Sequence, residues 1–297
     1  MQAIFQTVAI VGPGLVGGSL GLALRKRGLA GRVIGVGRRD SSLQAALRAG
    51  AVHEATLDLA RGVAGADLVV LATPVSAFQG LMPAVAQAMK PGALLTDVAS
   101  TKQAVIATVE RALADAGRRD VVFVPTHPMA GSEKHGAQNA QEHLFEGSAC
   151  IFTPLEGTPR AALHALRATW EAVGAKVHVM DGMAHDHLVA RISHLPHVAA
   201  VALMDVVAEP EGAFAGGGLI DTTRVASGDP KVWRDICESN AGQITQALDE
   251  YLRALRDVRA LLVEGRFDEL EALLGRIKQK RDGLLALRRD AGPSREA

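Results

Sequence analysis

Val8-Ala9-Ile10-Val11-Gly12-Pro13-Gly14-Leu15-Val16-Gly17-Gly18-Ser19 is an apolar, strand-forming run that passes through Gly-x-Gly-x-x-Gly into a helical stretch reaching about Arg27. Each glycine answers a physical demand. Gly12 permits a tight turn, Gly14 lets the backbone approach a pyrophosphate, and Gly17 lets helix and strand pack closely. The helix N-terminus, with its unpaired N–H groups, then faces the anion. The pattern by itself is a weak signal, but at the first strand of a βαβ unit it specifies a dinucleotide cradle. The expected cofactor contacts are Gly12, Gly14, Leu15, Val16 and Gly17, joined by Thr73 and Pro74 after the apolar strand Asp67–Ala72.

Outward from the cradle, strand-like and helix-like pieces alternate. Strands are expected at Thr7–Val11, Arg32–Val36, Asp67–Ala72, Ala93–Asp97, Val121–Val124 and Lys176–Met180. Helices are expected at Ser41–Ala49 (Ser41 or Ser42 as N-cap), Ala77–Met89, Lys102–Ala116 and Pro159–Val173. This rhythm predicts an α/β fold, a Rossmann-type parallel sheet covered on both faces. From Met183 the strand signal stops and long helical patterns take over at His185–Val207, Val232–Val263 and Phe267–Leu287. The expected division is therefore a dinucleotide-binding domain over residues 1–181 and an all-helical domain over residues 182–297 for substrate binding and dimerisation. Phe267, Leu270, Leu274, Ile277 and Leu284 recur at heptad-like spacing, which predicts a homodimer built through the helices.

Composition narrows the function. Hydrophobic residues make up 48% of the 297 and charged residues 22%, enough for a sizeable core. Aromatics are only 3%, so the core must be mainly aliphatic. The formal charge is +0, from 32 basic and 32 acidic side chains, and gives no global field to draw nucleic acid or an anionic membrane. Two cysteines, Cys150 and Cys237, point to a reducing, cytoplasmic setting. The segment Met1–Gln6 is too short and uncharged for a secretory signal, and no apolar run reaches a membrane span.

At the end of the second strand an Asp or Glu would hold the ribose of NAD. Here the chain has Gly37, then Arg38 and Arg39. No acid opposes a 2′-phosphate and two guanidiniums are available to grip it, so NADP is favoured, with NAD not excluded. The alternative makes Arg38 and Arg39 solvated loop charges and gives the ribose to Asp40.

Two later stretches follow the carboxyl ends of strands: Asp97-Val98-Ala99-Ser100-Thr101-Lys102 and His127-Pro128-Met129-Ala130-Gly131-Ser132-Glu133. His127 can act as base, and Ser100 can orient both partners. Asp97 is open to a loop-forming role, Lys102 to one as the first residue of a helix. His185, Asp186, His187, His194 and His197 crowd one helical stretch, with His194 and His197 sharing a face. A zinc site lacks Cys partners and an HExxH pattern, so no metal is expected. Arg224 follows a Gly-rich loop and reads as an anion binder or an ordinary ion-pair residue. Trp233 reads as packing.

DVASTK, HPMAGSE, Ser193-His194-Leu195-Pro196-His197 and DTTRVASGDP with Trp233 resemble, in order, the prephenate/arogenate dehydrogenase family. The resemblance spans nearly the whole chain. It implies an NAD(P)-dependent enzyme of tyrosine biosynthesis that decarboxylates prephenate or arogenate oxidatively. By that resemblance His127 is catalytic and Ser100 supports it. His197 and Arg224 bind substrate, Arg224 at a carboxylate, and Ser132 and Glu133 line the entrance. No appended mutase or regulatory domain is expected, because few residues follow Leu287. One rival is a β-hydroxyacid dehydrogenase, whose members resemble one another in a catalytic Lys on the first helix of the second domain. Another is a regulator that senses NADP without turnover.

Overall fold

The computed structural model describes residues 3–131 and 134–290. Six parallel strands form the main sheet: β1 (Phe5–Val11), β2 (Ala30–Val36), β3 (Glu54–Thr56), β4 (Leu68–Leu71), β5 (Leu94–Asp97) and β6 (Val122–Val124). Their order is β3-β2-β1-β4-β5-β6, the doubly wound arrangement whose direction reverses between β1 and β4. Strand side chains alternate between two cores. Val8, Ile10, Leu68 and Val70 pack on one face with Leu20 and Leu24. Ala9, Val11, Val69 and Leu71 pack on the other with Phe78, Met82, Val105 and Val109. The helices concerned are α1 (Leu15–Lys26), α2 (Asp40–Arg48), α3 (Leu59–Val63), α4 (Phe78–Ala88), α5 (Gln103–Asp115) and α6 (Arg160–Ala172). α2 begins at Asp40 with Arg39 as its N-cap, so the expected Ser41 or Ser42 cap is not formed.

A second, three-stranded sheet is the main departure from the sequence pattern. β7 (Thr126–Pro128) runs antiparallel to β8 (Ala149–Phe152), and β9 (Lys176–Val179) runs parallel to β8. The last strand thus belongs here and not in the main sheet, and His127 lies on a strand, opposite Ile151, and not in a loop. The cause is local. Pro125 has no N–H to continue the β6 ladder, and the Asp97 side chain accepts the N–H of Thr126 at 3.3 Å instead. β3, α3 and β8, of 3, 5 and 4 residues, are elements the sequence pattern does not mark.

Helices fill the rest of the chain: α7 (Gly182–Val189), α8 (Leu195–Asp205), α9 (Gly217–Thr223), α10 (Pro230–Ser239), α11 (Ala241–Val263) and α12 (Phe267–Asp290). Asp181 caps α7 by accepting the N–H groups of Met183 and Ala184 at 3.0 and 2.9 Å. Between α7 and α8 the chain widens into a π turn over Ala190–His194. Pro196 lacks an N–H and crowds the carbonyl four residues back, which opens the turn. The expected helix 232–263 is broken at Asn240. The Asn240 amide donates to the Asp186 carbonyl at 2.9 Å, which holds the break against α7. No helix among the described residues is long and apolar enough to cross a membrane.

The helical part is stitched to the sheet part by side chains. Asp186 accepts the N–H groups of Lys102 and Gln103 at 2.7 and 2.9 Å, so it caps α5 from across the junction. Thr101 donates to Ser239 at 3.0 Å, and Ser76 bonds Asp235.

Candidate active site

A cleft of about 660 Å³ opens at the reversal of strand order. Gly12 and Gly14 line it, with Gly37, Arg38, Arg39, Thr73 and Pro74. Gly12 has φ +90°, and a Cβ there would lie 2.8 Å from the Ala72 carbonyl oxygen. A Cβ at Gly17 would lie 2.6 Å from the Gly12 oxygen, so α1 approaches β1 only because position 17 is bare. A Cβ at Gly14 would meet only the Gly12 oxygen at 4.0 Å, leaving room beside the backbone for a ligand. No side chain caps α1 and no acid sits in its first turn. Its leading N–H groups, those of Leu15 and Val16 among them, are thus left for an anion. Thr73 Oγ1 is buried without a partner among the described residues. These residues fit a dinucleotide. Ser42, Ala137 and Gln138 also line the cleft, and no sequence signal marked them.

His127 is buried on β7, and its Nδ1 lies 2.8 Å from Nε2 of His185, also buried, on α7. His185 Nδ1 lies 2.8 Å from Asp186 Oδ1. Burial first, then the ammonium of Lys102, His185 and His194, holds the His127 pKa well below the ordinary histidine value. The imidazole is therefore neutral near pH 7, with its Nδ1 engaged by His185. Asp97 and Lys102 form a fully buried ion pair beneath it. Asp97 also accepts the N–H of Ala99 at 2.9 Å, so its role is to build the turn that carries Ser100. Ser100 is half-buried on that turn, between β5 and α5. Cys150 is buried, and burial pushes its thiol well up, which makes it inert.

The other expected residues sit along α8 and the turn after α9. His197 is buried and stacks on Trp233 at 3.4 Å between ring centroids and 7° between planes, and Trp233 also packs against the small helical core of Ala190, Ile236, Ile244 and Ala247, as its reading as packing expected. Gly228 is required there, because a Cβ would lie 2.3 Å from Trp233 Nε1. The Val225 carbonyl accepts a hydrogen bond from the His197 ring, and His197 Nδ1 is buried without a partner among the described residues. Burial lowers the pKa of His197 as well. His194 packs edge-on to Trp233 and is pushed down to about 4 by burial, Asp186 opposing. Arg224 opens the short turn that carries Val225, with its side chain exposed. Ser132 and Glu133 lie outside the described residues.

The cradle follows the carboxyl ends of β1, β2 and β4, and His127 stands three residues beyond the carboxyl end of β6 on the strand β7, the end of the main sheet where a doubly wound fold binds its ligands; this arrangement is that of a nicotinamide-dependent oxidoreductase. Comparison with known proteins narrows the class. The family model described as prephenate dehydrogenase, nucleotide-binding domain, matches residues 20–179, and that described as prephenate dehydrogenase, dimerization domain, matches residues 181–276. The chain belongs to the prephenate dehydrogenase family, NAD(P)-dependent oxidoreductases of tyrosine biosynthesis. It is similar to the prephenate dehydrogenase of Bacillus subtilis, 33% identical over 99% of this chain and 80% of that one. The Aquifex aeolicus prephenate dehydrogenase, solved with hydroxyphenyl propionate and NAD+, superposes with a TM-score of 0.86 at 32% identity, covering 94% of this chain and 98% of that one. The Synechocystis arogenate dehydrogenase superposes with a TM-score of 0.80 at 30% identity, covering 94% and 100%.

Proposed function

We propose that the protein decarboxylates prephenate or arogenate oxidatively, with NADP as its preferred acceptor and His127 as the group that takes the hydrogen bond of the ring hydroxyl. The observation that carries this is the neutral, buried His127 whose Nδ1 is already occupied, so that Nε2 is the atom left for substrate. A bound nicotinamide supplies the hydride acceptor. Nε2 holds the hydroxyl hydrogen while the ring oxygen gains carbonyl character on hydride loss. Departure of CO₂ makes the ring aromatic and the hydrogen stays with the phenol, so no net proton is consumed. Aromatisation drives the step, and the protein's task is positioning. Ser100 orients His127 and the hydroxyl, His197 braced on Trp233 contacts the substrate, and Arg224 holds a carboxylate. In the cradle, the N–H groups of Leu15 and Val16 bind the pyrophosphate, and Arg38 and Arg39 bind the 2′-phosphate. The β-hydroxyacid alternative needs a Lys that this chain lacks between Lys176 and Lys231. Comparing kcat/KM for prephenate and arogenate, each with NADP and NAD, tests the reading; turnover of neither substrate overturns it.

Arg224→Ala is expected to raise the substrate KM with little change in kcat, because a ground-state contact is lost. A charge-assisted contact is worth about 1.5–3 kcal/mol. The exposed guanidinium puts the loss at the low end, about tenfold in KM. Unchanged KM would remove Arg224 from the site.

The protein is a homodimer through its helices. Phe267, Leu274, Ile277 and Leu284 on α12 are each more than half exposed in the single chain, a stripe too apolar to leave in water. Light scattering at micromolar concentration is expected to give twice the chain mass, and Leu274→Asp with Ile277→Asp is expected to give the chain mass. A monomeric wild type would sink the dimer. The two free thiols, Cys150 and Cys237, accord with a cytoplasmic setting.

A further inference from the structure

Asp186 sits at the junction of two tasks. Its carboxylate accepts the backbone N–H groups of Lys102 and Gln103, at 2.7 and 2.9 Å. Backbone amides only donate, so both oxygens are committed as acceptors. The same Oδ1 lies 2.8 Å from His185 Nδ1, which must therefore carry a hydrogen. Taken as neutral beside His127, His185 has its single N–H on Nδ1, which makes its Nε2 a bare acceptor. That atom faces His127 Nδ1 at 2.8 Å, and the hydrogen between them belongs to His127. His127 then has no hydrogen on Nε2.

We infer that His185 and Asp186 are positioning residues that hold His127 in its Nδ1-protonated tautomer, with Nε2 as acceptor toward the substrate. The inference rests on the assignment of His127 as the group that meets the ring hydroxyl. The two amides at the start of α5 fix Asp186 as an acceptor, and a singly protonated His185 passes that direction on to His127. His127 stands on β7 of the sheet part, whereas His185 and Asp186 stand on α7 of the helical part. The acceptor is thus presented in its working form only when the two parts are docked, and the contact that docks them is the one that sets the tautomer. Both imidazoles and the carboxylate are buried, so water does not compete for these bonds.

The test compares two substitutions at one position in the full-length enzyme. His185→Leu removes the acceptor for His127 Nδ1. His185→Gln offers Oε1 as a substitute acceptor. His185→Leu is expected to lower kcat by about 10–100-fold, the usual cost of losing a group that orients another, with KM for substrate and cofactor within a few-fold of wild type. His185→Gln is expected to recover most of that loss. A merely structural role would move both variants in step with their melting temperatures, and equal activity of the two overturns the inference. So does a His185→Leu enzyme with wild-type kcat. A second readout is independent of turnover: ¹⁵N NMR of histidine-labelled enzyme, with the His127 signals assigned by their loss in His127→Asn. Nε2 of His127 is expected to be the unprotonated nitrogen in wild type, and finding Nδ1 unprotonated overturns the inference. If His127→Asn kept full kcat while the NMR gave the expected tautomer, the assignment of His127 to the substrate would fail and the hydrogen-bond chain would stand.

Discussion

Replacing His127 with Asn is expected to lower kcat by about two to four orders of magnitude, the span for a lost proton-handling group. Asn is the informative choice. Its Nδ2 can still donate to His185 Nε2, so the contact seen at 2.8 Å is kept while the acceptor toward substrate is removed. The glycines and arginines of the cradle lie after β1 and β2, and His127 is not among the residues lining the cleft, so cofactor affinity is expected to stay near wild type. The pH profile gives an independent check. The working form of His127 is neutral, and burial, Lys102 and His185 hold its pKa well below 6.5. The acid limb of kcat/KM is therefore expected below pH 6.5, and activity is lost as pH falls through the lowered value. A variant with nearly full kcat at saturating substrate would remove His127 from the chemistry.

Legibility followed the length and periodicity of each element. The main sheet was readable because β1 and β2 end in buried apolar runs, Val8–Val11 and Val33–Val36, and β4 is one throughout, and because the glycines of the cradle have fixed steric tasks. Gly12 and Gly17 show those tasks in the clashes a Cβ would make. Of the second sheet only β9 reads as a strand in the sequence: β7 is Thr-His-Pro, with no apolar run, and β8 is a four-residue strand that follows a turn-rich segment. Cys150-Ile151-Phe152, between Gly147-Ser148 and Thr153-Pro154, is the one trace of β8 in the pattern. His127 was picked out by residue type and family motif, but its partner was not. His185 and Asp186 stood in plain view in a histidine-rich helix. What joins His185 to His127 is the docking of α7 on the end of α5, a contact 58 residues apart in sequence. No local pattern encodes such a contact. The same holds for Gln138, which reaches the cofactor cleft from the segment after β7.

The double substitution Gly37→Asp with Arg38→Gln is expected to reverse cofactor preference from NADP to NAD. Specificity is a difference between two affinities, and the residues at the end of β2 bear on both. An Asp there would accept the ribose hydroxyls of NAD and repel a 2′-phosphate; Gly37 does neither. Arg38 and Arg39 are exposed, line the cleft, and carry the charge that attracts the phosphate. Asp40, the other candidate for the ribose, is not among the residues lining the cleft, and it accepts from Gln44 at 3.4 Å inside the first turn of α2. A Cβ at position 37 would meet Leu43 Cδ2 at 3.0 Å, so the buried Leu43 side chain must give by a few tenths of an ångström to admit the Asp. Losing one charge-assisted phosphate contact costs about 1.5–3 kcal/mol, and the added carboxylate acts in the same direction. The ratio of kcat/KM for NADP over NAD is expected to fall by about a hundredfold or more. Wild type is expected to retain some NAD turnover, because the pyrophosphate cradle serves both cofactors. Steady-state kinetics with each cofactor at saturating substrate decide the matter. A wild-type enzyme with the higher kcat/KM for NAD would make the two arginines surface charges and leave the ribose to Asp40 or the backbone beside it.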